Sequence, residues 1–106
     1  MSRKKGNIAE DKAVEYLLSH GFDIIERNFY SRFGEIDIIA FKDETFHFIE
    51  VKGGLWDIIY KIDKKKISKI VKTADIYMSK NRVESDFCFD AIIVTDKIEF
   101  IENITI

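Results

Sequence analysis

The stretch that most constrains this chain is GEIDIIAFKDETFHFIEVK, which spans residues 34–52. Apolar residues alternate with other residues on both sides of a short charged segment, as is typical of two β-strands joined by a turn. If residues 43–44 form the turn, paired residues sum to 87 in number, and Asp37 faces Glu50. A three-residue turn would place Asp37 opposite Ile49 instead, and Asp-Glu is not a favoured two-residue turn.

The two-residue register gathers four charges on one face of the predicted hairpin, because residues two apart share a strand face. Glu35 then faces Lys52, and Asp37 faces Glu50. Directly opposed carboxylates are destabilising, so Lys52 or a divalent cation has to compensate. Mg²⁺ is typically held by one or two carboxylates with water and phosphate oxygens. The alternative is a solvated outer face with a Glu35–Lys52 ion pair.

The remaining periodicity predicts two helices and three further strands. An amphipathic pattern ends at Gly21, a typical C′ residue, and a second amphipathic pattern follows the hairpin. The predicted elements are helices at 7–20 and 63–80 and strands at 22–30, 34–41, 45–52, 87–95 and 98–106. The order αβββαββ predicts an α/β or α+β fold with helices flanking a sheet. A length of 106 residues predicts a single domain, 1–106.

Composition favours a globular protein, with 46% hydrophobic and 34% charged residues. The single cysteine, Cys88, excludes an internal disulfide. No apolar run reaches the roughly 18 residues of a membrane span, and no secretory h-region follows the basic start. We therefore expect a cytoplasmic protein without a membrane partner. Across residues 61–82, Lys and Arg outnumber Asp and Glu by 8 to 2, which creates a local field for a polyanion.

Glu10 stands out on the first predicted helix because it lies on the apolar side. At about 100° per residue, Ala13, Val14 and Leu17 fall within roughly 60° of it. An acid there is costly to bury unless it is paired or bound to metal. The alternative is a capping box, with Asn7 as N-cap and Glu10 at N3.

Five segments in this order resemble the YraN-type family of small bacterial proteins. They are AEDKAVEYLLSHGFDIIERNF, GEIDIIA, FIEVK, KISKIVKTADIYM and FDAIIV. The resemblance covers nearly the whole chain. It implies a branch of the PD-(D/E)XK nuclease superfamily, with a restriction-endonuclease-like mixed sheet, and an outline similar to archaeal-type Holliday junction resolvases.

The resemblance also implies roles for individual residues. Glu10, Asp37 and Glu50 would bind Mg²⁺ or Mn²⁺, and Lys52 would complete the E-x-K motif. Glu35 belongs to the GEID segment and would orient Lys52. The implied reaction is cleavage of DNA, with branched DNA as one candidate substrate, by direct attack of an activated water. A resolvase cuts two strands, so a homodimer is compatible with the resemblance.

Basic residues supply the phosphate contacts in this interpretation. We expect Arg27 and Arg32, near strand ends, and Lys66 and Lys69, on the second helix, to contact phosphates; a solvated lysine face is the alternative. The chain departs from the family pattern at Tyr30, Gly53, Ile67 and Cys88, where basic or polar residues are more usual. These departures favour a second hypothesis, a non-catalytic nucleic-acid-binding or interaction protein that retains a nuclease fold.

Several other residues suggest chemistry but have simpler explanations. His20 and His47 lack zinc spacing with Cys88, so we expect an isolated helix-end residue and an isolated strand residue. Trp56 and Tyr60 could stack on bases, but packing explains them better. Asp90 lies among apolar strand residues and matches the family's FD. We interpret Asp90 as a residue that supports the sheet or the site.

Overall fold

The computed structural model describes residues 7–53 and 63–105. The elements are α1 (Asn7–Ser19), β1 (Asp23–Ser31), β2 (Gly34–Lys42), β3 (Thr45–Gly53), α2 (Lys64–Lys80), β4 (Asp86–Val94) and β5 (Ile98–Ile101). The predicted order αβββαββ is confirmed. The basic start of the chain and the predictions for Trp56 and Tyr60 lie outside the described residues.

The five strands form one mixed sheet in the order β1-β2-β3-β4-β5. The first three strands pair antiparallel, β3 pairs parallel with β4, and β4 pairs antiparallel with β5. Because parallel neighbours need a crossover, the segment that contains α2 connects β3 to β4. The predicted mixed sheet flanked by helices is therefore confirmed.

The hairpin between β2 and β3 has the two-residue turn. Both turn residues adopt left-handed backbone angles, with φ of 51° at Asp43 and 61° at Glu44, as in a type I′ turn. This turn suits the twist of a hairpin although neither residue is glycine. Pairing of Ile38 with Ile49 confirms the sum of 87 and excludes the three-residue alternative.

The two helices pack on opposite faces of the sheet. Neighbouring strand residues alternate between two hydrophobic clusters, one beneath each helix. The α1 cluster is Ala13, Leu17, Phe22, Ile38, Ala40, Ile49, Ile92 and Val94. The α2 cluster is Phe29, Ile36, Ile39, Phe48, Ile70, Ala74, Tyr77 and Phe89. Among the described elements, α1 thus packs on one face of the sheet and α2 on the other.

Local signals fix the ends of the helices. The Asp63 side chain accepts a hydrogen bond from the Lys66 N–H and caps α2. At the end of α1, Gly21 has a φ of 88°, and the Phe22 N–H returns to the Leu17 carbonyl at 3.0 Å, as in a Schellman motif. Neither described helix has the length and apolar character that crossing a bilayer requires.

Close packing between α1 and the end of β3 positions the acidic residues. A Cβ added at Gly53 would lie only 3.0 Å from the Ala9 Cβ, so the strand end touches the first turns of α1. Ala9 precedes Glu10, which is 6% exposed. The absence of a side chain at Gly53 therefore lets Glu10 approach the sheet.

Candidate metal and nucleic-acid site

The acidic residues meet where β2 and β3 separate. The paired positions between these strands extend as far as Ile38 and Ile49. Beyond them, the Val51 N–H donates a 2.8 Å hydrogen bond to the Asp37 carboxylate. The side chain of Asp37 thus satisfies a backbone donor at the fork between the two strands.

The alternation of β2 is interrupted at the same place. Ile36 and Ile39 both belong to the α2 cluster, whereas a regular strand would direct them to opposite faces. Ile38 faces α1, so the interruption includes Asp37. On β1, Asn28 lies between the residues paired with Ile36 and Ile38 and has a φ of 55°. This irregularity allows Asp37 to approach groups from both faces.

A cavity of about 420 Å³ opens beside the fork, next to the start of α2. Acidic and basic side chains share its wall. The lining residues are Phe33, Gly34, Glu35, Asp37, Glu50, Asp63, Lys65, Lys66, Lys69 and Ile70. Glu35, Asp37, Glu50 and Lys52 were predicted to lie on one side of the sheet. The three acids line this cavity, and Lys52 is not among its described lining residues. The alternative of a solvated outer face is wrong for Glu50, which is 5% exposed.

Burial and like charge act together on Asp37. Burial and then the negative charge of Glu50 raise the pKa of Asp37 to about 7. The hydrogen bond from Val51 opposes this rise, while Glu10 and Glu35 add to it. Because the carboxyl group responds to all three acids, their charges form one electrostatic cluster. A cation placed among them would relieve the repulsion.

Two lysines compensate the charge of Glu50. Its Oε2 lies 2.9 Å from Lys66 Nζ and 3.7 Å from Lys52 Nζ. Partial burial, followed by contact with Lys66, lowers the pKa of Lys52. Burial acts in the same direction on Lys66, but the hydrogen bond and charge of Glu50 outweigh it and raise the pKa of Lys66. Lys66 therefore acts as the counter-ion of Glu50, and Lys52 is the more readily deprotonated amine.

Glu10 is held by a polar network. Arg27 Nε and Nη2 donate to Glu10 Oε1 at 3.1 and 2.8 Å. Asn28 Nδ2 donates to Glu10 Oε2 at 3.0 Å and to Glu35 Oε2 at 2.8 Å. The helix acid is therefore buried and paired, and both of its oxygens are engaged in contacts other than a capping box. Asn28 is the residue that connects it to the cavity.

These contacts bear on two predictions, which stay predictions. Arg27 was predicted to bind phosphate, but it forms ion pairs with Glu10 and Asp11 at 2.8 and 2.6 Å. Glu35 was predicted to orient Lys52, but its carboxylate accepts from Asn28. Asn28 was not predicted as a site residue. Its only sequence signal is that asparagine tolerates left-handed backbone better than most residues.

The other predicted basic residues lie near the cavity. Lys66 and Lys69 line it, and the exposed Arg32 lies over the Phe33 ring, 4.8 Å from the centroid. Lys72 approaches the same ring at 5.2 Å. Positive charge therefore surrounds one exposed edge of the acidic cavity.

The prediction that His47 is isolated is wrong. Within residues 7–53 and 63–105, the group of three potential ligands whose atoms lie within 4.8 Å of one another is His47, Cys88 and Asp90. The acids Glu10, Asp37 and Glu50 are more widely spaced. Burial and then the charge of Asp90 raise the pKa of Cys88 to about 12. His20 is a helix-end residue as predicted, and its Nδ1 lies 2.8 Å from the Tyr16 carbonyl.

Comparisons with known proteins find one family over most of the chain. The model of the family described as "Uncharacterised protein family UPF0102" matches residues 9–94. A UPF0102 protein of Sulfurimonas denitrificans is 53% identical over 109 residues, covering 100% of both chains. Relatives from Helicobacter pylori and Campylobacter hominis, also called UPF0102 proteins, are 52% and 53% identical. Both alignments cover 97% of this chain, with 92% and 95% of the relative.

Arg27→Ala tests whether this arginine is structural. We expect the free energy of unfolding to fall by about 1–3 kcal/mol, because Glu10 loses its charged partner while buried. Urea unfolding measures the change, with the exposed Arg32→Ala as the matched control. The loss should be smaller in a Glu10→Gln background. Unchanged stability together with weakened DNA binding would restore Arg27 as a phosphate contact.

Asp37→Asn tests the electrostatic strain at the fork. The folded chain retains a proton on Asp37 up to about pH 7, whereas the ordinary value is 3.8. The unfolded chain releases this proton at a lower pH than the folded chain does. The free energy of unfolding should therefore fall as the pH rises from the ordinary pKa toward the raised one. In chelator, we expect Asp37→Asn to gain roughly 1–3 kcal/mol over the wild type between pH 5 and pH 8.

The comparison requires urea unfolding at both pH values. Asp75→Asn, at an exposed position of α2, is the matched control and should follow the wild type. An Asp37→Asn protein that is equally destabilised at both pH values would show that the carboxylate stabilises the fork without strain.

Proposed function

We propose that this chain, which belongs to the uncharacterised protein family UPF0102, is a divalent-metal-dependent nuclease that hydrolyses DNA phosphodiester bonds. The proposal includes its placement in the PD-(D/E)XK superfamily and its likeness in outline to Holliday junction resolvases. The observation that carries it is a shared cavity. Glu35, Asp37 and Glu50 line the same space as three lysines of the first turns of α2.

The donor set of this cavity fits Mg²⁺ or Mn²⁺. Hard oxygen ligands dominate it, and Mg²⁺ needs only one or two carboxylates because it retains several waters. Asp37 and Glu50 would hold the ion, with Glu10 contributing negative charge from the neighbouring network. The rise in the pKa of Asp37 supports the fit, since a nearby divalent cation stabilises the ionised carboxylate.

A bound divalent cation supplies Lewis-acid activation of water and neutralises charge that develops on the phosphate. The chain's own residues orient the substrate. Lys52 Nζ, close to Glu50, would donate a hydrogen bond to a phosphate oxygen as its charge increases. Lys66 would exchange its contact with Glu50 for one with the substrate. Asn28 donates hydrogen bonds to Glu10 and Glu35 and so holds both carboxylates in place.

The basic edge of the cavity would bind the DNA backbone. Arg32, Lys65, Lys69 and Lys72 are exposed there, and both Arg32 and Lys72 approach the Phe33 ring. Contacts of this kind are independent of sequence and sensitive to salt. Branched DNA is the substrate class that the resemblance to resolvases favours. A homodimer that cuts two strands stays a prediction.

A non-catalytic nucleic-acid-binding protein is the second candidate. It is favoured by the 2.9 Å pair between Lys66 and Glu50, since a lysine that neutralises the carboxylate removes the need for a cation. Engagement of Arg27 with Glu10 and Asp11 also leaves fewer groups for the substrate. This candidate predicts DNA binding without cleavage.

A cleavage assay separates the two candidates. The full chain is incubated with labelled duplex, four-way-junction and single-stranded DNA in Mg²⁺, Mn²⁺ or chelator. We expect metal-dependent cleavage that falls at least about 10²-fold in Asp37→Asn and Lys52→Ala, because each removes a group that acts on the reacting phosphate.

Asp75→Asn and Lys80→Ala are matched controls at exposed positions of α2 and should retain full activity. Equal cleavage by wild type and Asp37→Asn would identify a contaminating nuclease and overturn the proposal. Salt-sensitive DNA binding with no cleavage in either metal would support the second candidate.

A further inference from the structure

A second cluster of chemically active side chains lies on the other face of the sheet. His47 on β3 pairs with Cys88 on the parallel strand β4, and Asp90 follows two residues later. Residues two apart share a face, so all three side chains lie on the α1 side. There the edge of the Phe22 ring packs against His47, with ring centroids 5.0 Å apart. Glu50 lines the cavity beneath α2 and takes no part in this cluster.

The three potential ligand atoms form a tight triangle. His47 Nδ1 lies 2.6 Å from Asp90 Oδ2 and 3.1 Å from Cys88 Sγ. The Cys88 Sγ to Asp90 Oδ2 distance is 3.4 Å. Ligand atoms around one tetrahedral Zn²⁺ lie roughly 3.3–3.7 Å apart, given bond lengths of about 2.0–2.3 Å. The distance between His47 Nδ1 and Asp90 Oδ2, which is now that of a hydrogen bond, has to increase most, by as much as about 1 Å.

From this geometry we propose that His47 Nδ1, Cys88 Sγ and Asp90 Oδ2 form a binding site for a transition metal of the Zn²⁺ class. One sulfur, one imidazole nitrogen and one carboxylate oxygen suit Zn²⁺ and are unsuited to Mg²⁺. Water would complete the tetrahedron, because the side chain of Cys88 is only partly buried. The proposal is independent of nuclease activity.

The surroundings hold the carboxylate in the orientation that a ligand needs. Asp90 is completely buried, and its Oδ1 accepts a 2.9 Å hydrogen bond from the Asn103 N–H. That contact leaves Oδ2 available to the metal. Carboxylates that bind metals are commonly oriented by hydrogen bonds of this kind. Metal binding forms bonds to sulfur, nitrogen and oxygen and displaces one proton from the Cys88 thiol to solvent. The proton that His47 Nδ1 donates to Asp90 Oδ2 leaves Nδ1 for solvent while Nε2 carries or takes up one proton, so that a neutral imidazole binds the metal through Nδ1.

Titration of the untagged full chain with Co²⁺ tests the site directly. Cys88 is the only cysteine in the chain, so a thiolate-to-cobalt charge-transfer band can arise only from this residue. We expect the band together with tetrahedral d–d bands, saturating at one equivalent and reversed by one equivalent of Zn²⁺. Cys88→Ser should abolish the charge-transfer band, and His47→Gln should weaken cobalt binding at least about 10-fold.

Asp37→Asn is the control, since it alters the acidic cavity and should leave the thiolate-to-cobalt charge-transfer band, which only Cys88 can produce, unchanged. Circular dichroism confirms that each variant is folded. Absence of the charge-transfer band in the folded wild type would overturn the proposal. An unchanged cobalt affinity in folded His47→Gln would also overturn it, by showing that Cys88 binds the metal without the cluster.

Discussion

The fork between β2 and β3 places two opposing requirements on the carboxylate of Asp37. Asp37 satisfies the Val51 N–H where the strand ladder ends, which requires the side chain to remain within the protein. The same position brings it close to the charge of Glu50. Burial of like charges is costly, and neighbouring basic residues reduce that cost. Arg27, Lys52 and Lys66 supply the compensating positive charge around the acids.

This electrostatic balance links the fold to the proposed chemistry. Each helix contributes a charged residue from its N-terminal half: Glu10 from α1 and Lys66 from α2. Gly53 permits the close approach of α1, and the Asp63 cap fixes the start of α2. The lysine on Glu50 provides charge balance in the absence of a divalent ion. A nuclease of this design would exchange one form of compensation for another when metal and DNA bind.

The sequence predicts elements well and contacts between distant elements poorly. The two strands of the hairpin followed from residues 34–52 alone, since the alternation is local, whereas the choice between a two-residue and a three-residue turn needed the structure. The burial of Glu10 followed from helical periodicity. The Arg27–Glu10 pair did not follow, because it joins residues 17 apart through the packing of α1 on β1. A basic residue within a strand gives no sign in the sequence of which acid it will contact.

The cluster of His47, Cys88 and Asp90 shows the same limit more clearly. Its members are separated by 41 and 43 residues between strands, and the register of β3 against β4 determines whether they meet. Sequence spacing alone suggested that the histidine is isolated, because zinc motifs with short ligand spacing were the only guide. Parallel pairing through a long crossover has no local signature of register.

The central claim is that Asp37 is strained by its neighbours and relaxed by a divalent cation. The most direct measurement is an NMR pH titration of the carboxyl carbon of Asp37 in ¹³C-labelled protein, without metal and with saturating Mg²⁺. The account predicts titration near pH 7 without metal and a downward displacement of more than about one pH unit with Mg²⁺. An ordinary pKa without metal, or a titration that Mg²⁺ leaves unchanged, would contradict it.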